Sequence, residues 1–127
     1  MERPELVAYV GAHGDAVVST SGPRGEPQAA YLSIAATTDG ELVFTAMADS
    51  RKVANIRRDN RIAVVIGGPD QMTLQLQGTT DVPMGRDRER CEEAYLAAFP
   101  QFASSMVDDS KVLVRVTLEW SRFGDYR

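Results

Sequence analysis

The stretch VFTAMADSRKVANIRRDNRIAVVI, Val43 to Ile66, decides how this chain is to be folded. It reads as the end of a strand, a short helix and a second strand. Arg51 to Asp59 forms the helix, with Val53 and Ile56 three apart on one face and either Ser50 or Asp49 as the N-cap. Ile62 to Ile66 is continuously apolar, as a strand buried on both faces would be, and it stops at Gly67, Gly68 and Pro69. The charges at the start of the helix have the wrong sign for an empty turn. The positive end of the backbone dipole lies there, so Arg51 and Lys52 each cost about 0.3–1 kcal/mol where an acid would stabilise.

Upstream, Pro4 to His13 carries Leu6, Val7 and Val10 on one helical face, and Gly11 and Gly14 bracket its end. Ala16 to Ser21 is then a strand, Gly22 to Pro27 a turn, and a second strand runs through Ala35. Asp39–Gly40 is the turn before a third strand, Glu41 to Met47, so three antiparallel strands are expected in succession. Downstream, Met72, Leu74 and Leu76 alternate with Thr73, Gln75 and Gln77, which places core on one face and a polar lining on the other. Arg86 to Phe99 fits a helix, with Cys91, Ala94, Tyr95, Ala98 and Phe99 on one stripe, and Pro100 ends it. The last strand alternates Val112, Val114, Val116 and Leu118 against polar and mixed positions, and leads into Trp120 and the tail. Six strands in a meander with two or three short helices point to a mainly β fold. Closure into a split barrel would remove its exposed edges.

At 127 residues the chain is expected to form a single domain over residues 1–127. Hydrophobic residues at 43% and charged residues at 25% exclude a disordered chain. The formal charge of −4 argues against nucleic-acid backbones as a partner. No cationic segment followed by an apolar run opens the sequence, and no apolar run reaches the roughly 20 residues needed to span a bilayer. A cytoplasmic protein is expected.

The single cysteine and single histidine restrict the chemistry. Cys91 reads as a core residue, and His13, in a glycine-rich stretch, as a loop residue. No metal ligand set and no catalytic acid or base stands out, so any difficult reaction would need a cofactor. The cationic turn after the third strand could be a solvated helix start. It is also where backbone N–H groups, the Ser50 hydroxyl and two side-chain cations would meet a phosphate, which carries roughly −1.5 to −2 charges.

The chain resembles the FMN-binding split-barrel proteins related to pyridoxamine 5′-phosphate oxidase. The likeness rests on the T…SRK…N arrangement of Thr45, Ser50, Arg51, Lys52 and Asn55 before an apolar strand. It extends to LQLQG at Leu74–Gly78, YLAAFPQ at Tyr95–Gln101 and the closing VRVTLEWSRFGDYR. The resemblance implies an FMN-binding oxidoreductase acting on a small substrate through the flavin. Arg51 and Lys52 would hold the phosphate with Ser50 and Thr45 assisting, and Phe44 stands beside Thr45 in the same motif. Ala30, Tyr31, Leu32 and Ser33 would line the isoalloxazine ring, and Thr73 or Gln75 would reach the ring edge. It also implies a homodimer with the cofactor at the subunit interface, to which Trp120 and Arg122 would contribute; their plainer reading is a barrel-closing aromatic and a surface cation. No histidine stands near Arg127 to hold a substrate phosphate or a haem iron, so vitamer oxidation is not expected. Alternatives within the resemblance are a flavin-binding or stress-related protein without turnover, and relatives that use a deazaflavin or haem.

Overall fold

The computed structural model describes all 127 residues. Helix α1 (Arg3–His13) leads into strands β1 (Asp15–Ser21), β2 (Pro27–Ser33), β3 (Ala35–Ala36) and β4 (Leu42–Met47). Helix α2 (Arg51–Arg58) follows, then β5 (Arg61–Gly67) and β6 (Met72–Asp81). Helix α3 (Gly85–Ala98), a 3-10 helix (Pro100–Val107) and the long β7 (Lys111–Asp125) complete the chain. The fold is therefore mainly β, as expected, but with seven strands in place of six and with four helices.

The extra strand comes from a break at Ile34. The segment expected as one strand through Ala35 leaves β1 after Ser33, and Ala35 and Ala36 then pair with Val43 and Leu42 of β4. The order in the sheet is β2-β1-β5-β6-β7-β4-β3, antiparallel throughout. This is not the meander the sequence suggested. β1 pairs with β5 as well as with β2, and β4 with β7 as well as with β3, because α2 carries the chain from one side of the curled sheet to the other. The two edges of the sheet, β2 and β3, are separated in the chain by one residue.

The inward faces of the strands form the main core. Val18, Leu42, Phe44, Val64, Leu74, Leu76 and Val114 are buried there, joined by Leu6 and Val10 of α1 and Val53 and Ile56 of α2. The left-handed Gly14 ends α1 and donates its N–H to the Val10 carbonyl, which turns the chain directly into β1. A second, smaller cluster lies under α3, where Cys91 and Tyr95 cover Ala35, Val43 and Leu113. Burial pushes the Cys91 thiol up, in keeping with a packing role.

β5 corrects a second expectation. Its residues alternate, with Ile62, Val64 and Ile66 buried and Ala63 and Val65 exposed. The apolar run arises because its outer face belongs to a wider strip of small and apolar residues that continues across the sheet.

Two features hold the curl. Gly78 of β6 lies where β6 and β7 shift register, and a Cβ there would run into the Thr117 carbonyl. Under α3, Glu41 accepts from Arg90 at 2.8 Å and from Arg115 at 3.2 Å, and Arg115 also pairs with Asp81 at 2.6 Å. This ties β4, β6, β7 and α3 together. The hydrogen bond from Arg90, outweighing the opposing effect of burial, holds the Glu41 carboxyl below its ordinary value.

Gly78→Ala is expected to destabilise the chain by about 1–3 kcal/mol through overpacking, read as a lower urea midpoint. A carboxylate whose pKa is depressed by folding stabilises above its unfolded pKa, and that stability fades as the pH falls through the folded value. Wild type should therefore lose stability between neutral pH and the region below about pH 4 more steeply than Glu41→Gln. The variant should already be weaker by about 1–3 kcal/mol at pH 7, as denaturant titrations at a series of pH values will show.

Candidate functional site

β4 ends at Met47, whose carbonyl accepts from the Ser50 N–H at 3.0 Å, and this tight turn sets the start of α2. Ser50 is the N-cap: its extended backbone and its side-chain oxygen, which accepts from the Val53 N–H at 3.4 Å, satisfy one orphan donor of the first turn. No acid stands in that turn, and neither Arg51 nor Lys52 enters any ion pair of the chain. The Arg51 and Lys52 amides and both side chains are thus free to meet an anion.

They face a cleft of about 170 Å³ between α2 and the β1–β2 hairpin. Ser50, Arg51 and Lys52 form one wall, and Thr20, Gln28 and Ala30 the other, with Asn55 at the helix side. Asn55 is buried, and its amide nitrogen donates to Thr20 Oγ1 at 3.0 Å and to Gln28 Oε1 at 2.9 Å. Its oxygen accepts from Arg58 at 2.8 Å, and Arg58 in turn donates to the Ser21 carbonyl at 2.9 Å. This polar chain fixes the helix start against the hairpin, so the cations lie on a rigid frame.

The other expected site residues divide among different places. Tyr31 and Ser33 point to the outer face of the sheet, while Leu32 packs against the core. Phe44 is buried in the core and cannot line the cleft with its side chain. Thr45, on the opposite face of β4, places its hydroxyl 3.4 Å from the Tyr95 hydroxyl under α3, away from Ser50. Strand alternation accounts for all five: consecutive residues of a strand cannot share one face.

Register aligns the rest. Tyr31, Val17, Val65, Gln75 and Arg122 form one row across five strands of the outer face. Ala29, Ser19, Ala63, Gln77 and Trp120 form the next. Thr73 lies on the same face one rung beyond Gln75, opposite Gly67 and Gly124. Tyr31 is 72% exposed, and Val17, Val65 and Trp120 are 41%, 44% and 44% exposed. An apolar and aromatic strip on a sheet face marks an interaction surface.

The residues missing from the expected set are Thr20, Gln28 and Asn55. Each leaves a trace in the sequence. Thr20 and Gln28 are cross-strand partners that put polar groups on an otherwise apolar inward face, and Asn55 sits on the inward side of α2 between Val53 and Ile56.

Comparison with known proteins agrees with this architecture. The family model described as pyridoxamine 5′-phosphate oxidase matches residues 3–124. The chain belongs to the pyridoxamine 5′-phosphate oxidase family. Among solved structures, the conserved hypothetical protein Rv2991 of Mycobacterium tuberculosis is similar at a TM-score of 0.81 and 22% identity, over 100% of this chain and 86% of that one. General stress protein 26 of Bacillus anthracis is similar at a TM-score of 0.77 and 16% identity, over 98% and 95%. A haem-binding protein of Mycobacterium smegmatis gives 0.84 and 15% over 98% of this chain, which spans only 55% of that protein's length. At these identities the likeness is one of fold. Among curated protein sequences none matches this chain. No helix is long and apolar enough to cross a membrane.

Asn55→Ala should leave Thr20, Gln28 and Arg58 short of partners. It is expected to cost about 1–3 kcal/mol and to speed amide hydrogen exchange in α2 more than in β6.

Proposed function

We propose that this chain is a flavin-dependent oxidoreductase that holds FMN by its phosphate in the α2 cleft. The single observation that carries the reading is the pairing of two uncompensated cations, Arg51 and Lys52, with a capped helix start and a cleft lined by neutral hydrogen-bonding side chains. The donor set fits the group. Ser50, Thr20 and Gln28 can bond phosphate or ribityl oxygens, Asn55 holds Thr20 and Gln28 in place, Arg51 and Lys52 supply charge, and no carboxylate lines the cleft.

The size of the cleft supports a division of labour. A space of about 170 Å³ takes a phosphate and part of the chain attached to it, while a tricyclic ring has to lie outside. The outer sheet face offers Tyr31, Gln75, Trp120 and Arg122 for that purpose, and its apolar strip is suited to a second copy of the chain. On this reading the working form is a homodimer with the ring between protomers. A bound flavin would supply hydride or electron transfer. The residues of the cleft, which include no acid and no histidine, would bind and orient it.

The same phosphate cradle suits a deazaflavin nucleotide. The likeness in fold to a protein named for haem binding keeps haem as a competing occupant of the molecule. The visible spectrum of purified protein separates these: flavin or deazaflavin bands are expected, and a Soret band in their place would overturn the reading. Reduction of the bound flavin by a nicotinamide donor and reoxidation by an acceptor would distinguish an enzyme from a flavin-binding protein without turnover.

Arg51→Glu combined with Lys52→Glu should weaken FMN binding at least about a hundredfold with the fold retained, since two charge-assisted contacts become repulsions. Fluorescence quenching of FMN on titration, with circular dichroism as the folding control, measures this. Unchanged affinity would place the phosphate elsewhere.

A further inference from the structure

A recess of about 800 Å³ opens between α1, β3 and α3. It shares no residue with the α2 cleft or with the outer strip that runs from Tyr31 to Trp120. Its volume lies within the range of small-molecule sites. Val7, Ile34 and Phe99 give it apolar walls, and the Phe99 ring reaches from α3 to the end of α1, with Cζ 3.5 Å from where a Cβ on Gly14 would stand.

The edge of β3 distinguishes this recess from a packing gap. β3 ends the strand order, so no further strand covers its outer side. Ala35 and Ala36 lie opposite Val43 and Leu42, and the Thr37 N–H donates to the Glu41 carbonyl at 2.8 Å. Backbone groups alternate in direction along an antiparallel ladder, so the N–H and C=O of Ala36 point away from β4. Two residues earlier the same side is paired, where the Ile34 N–H donates to the Gly14 carbonyl at 2.8 Å. The Ala36 groups have no such partner in the chain, although the residue is half-buried and lines the recess. A backbone donor and acceptor withdrawn from water ordinarily bond something.

The lining selects the ligand. A two-residue edge offers an added polypeptide strand a single bonding pair, which is too little to hold it and enough to orient a small ring. An anion is disfavoured. The Arg90 guanidinium is already bound by Asp39, Glu41 and Asp87, and Glu93, exposed on the same wall, enters no ion pair. Gly11 to His13 bring the negative, carbonyl end of the α1 dipole to the opposite wall. The apolar walls favour a flat body. In an amino-substituted nitrogen heterocycle, a ring nitrogen and the amino group beside it can accept from the N–H and donate to the C=O of one extended residue together.

We propose that this recess binds an uncharged amino-substituted nitrogen heterocycle of about purine size. Its ring nitrogen accepts from the Ala36 N–H, its amino group donates to the Ala36 carbonyl, and the ring lies between the α1 and α3 walls. The site stands whether or not a flavin occupies the α2 cleft.

The probe is 2-aminopurine, titrated into isotope-labelled protein and followed by NMR, with purine, which lacks the amino donor, as the comparison. The aminated ring is expected to bind about five- to tenfold tighter. Exchange of the Ala36 amide hydrogen should be fast in the free protein, and 2-aminopurine should shift that signal and slow its exchange. Ala36→Pro removes an N–H that the ladder to β4 does not use, and should weaken 2-aminopurine binding about five- to tenfold with the circular dichroism unchanged. Ala98→Leu, at an exposed position of α3 that lines the recess, should fill it and weaken both rings. Equal affinity for the two rings, no binding of either, or an Ala36 amide that neither shifts nor gains protection would overturn the proposal. So would undiminished binding in Ala98→Leu or in a folded Ala36→Pro. Failure of the wild type to bind FMN, with 2-aminopurine binding intact, would count against the flavin reading alone.

Discussion

One covalent constraint shapes this molecule: β2 and β3, at opposite ends of the strand order, are joined through Ile34. In a flat sheet those edges would stand six strand spacings apart, about 29 Å. The step from Ser33 to Ala35 reaches only about 7 Å. The sheet must therefore curl until its edges meet. The Ile34 N–H donates to the Gly14 carbonyl at 2.8 Å, the last bond on the β1 side, and the next residue already pairs with β4. The fully buried Ile34 side chain anchors the crossing in the core.

Curling divides the molecule into an inside that must be apolar and an outside whose character is free. Helix α1 and helix α2 contribute two core residues each, Leu6 with Val10 and Val53 with Ile56, and so complete the interior. Against the hairpin, α2 does not seal. Thr20, Gln28 and Asn55 take inward positions that elsewhere in the core are mostly apolar, and a hydrophilic cleft remains where closure would otherwise be complete. Desolvating three polar side chains is tolerable because they bond one another and Arg58. The same bonds set the distance between the helix start and the hairpin. The polar seam is thus at once a defect in the core and the frame of the candidate site.

Most elements were legible because each had a local cause. Alternation revealed the inward set of β6, the three-residue spacing of Val53 and Ile56 gave α2, and Asp39–Gly40 marked the turn before β4. The order of the strands was not legible. Nothing local in Ala16–Ser21 says that it pairs with Val17↔Val65 register to β5 as well as to its hairpin partner. The break at Ile34 was hidden for the same reason: Leu32 to Ala36 is a smooth run whose division depends on which strand each residue meets. At the site, Ser50, Arg51 and Lys52 were readable because their charge contradicts the helix dipole. Phe44 and Thr45 were grouped with them by motif, and alternation along β4 sends one inward and the other beneath α3.

Electrostatics explain how an acidic chain can present an anion-binding cleft at all. Arg90 and Arg115 are committed to Glu41, Asp81 and Asp87, and Arg61 to Asp59, so much of the basic charge is neutralised within a few ångströms. Arg51 and Lys52 have no such partners, and the backbone dipole of α2 adds to their field rather than opposing it. Overall charge governs solubility and long-range encounter, whereas binding follows the field inside about one Debye length, roughly 8–10 Å. Within that distance the cleft is positive even though the molecule is not. On the flavin reading, the phosphate would be drawn to the α2 cleft while the acidic remainder of the surface repels anions elsewhere, so that one end of the nucleotide is fixed before the ring meets the sheet. The ring, larger than the cleft, then needs a flat apolar partner, and the exposed strip from Tyr31 to Trp120 is the surface of this chain with that shape.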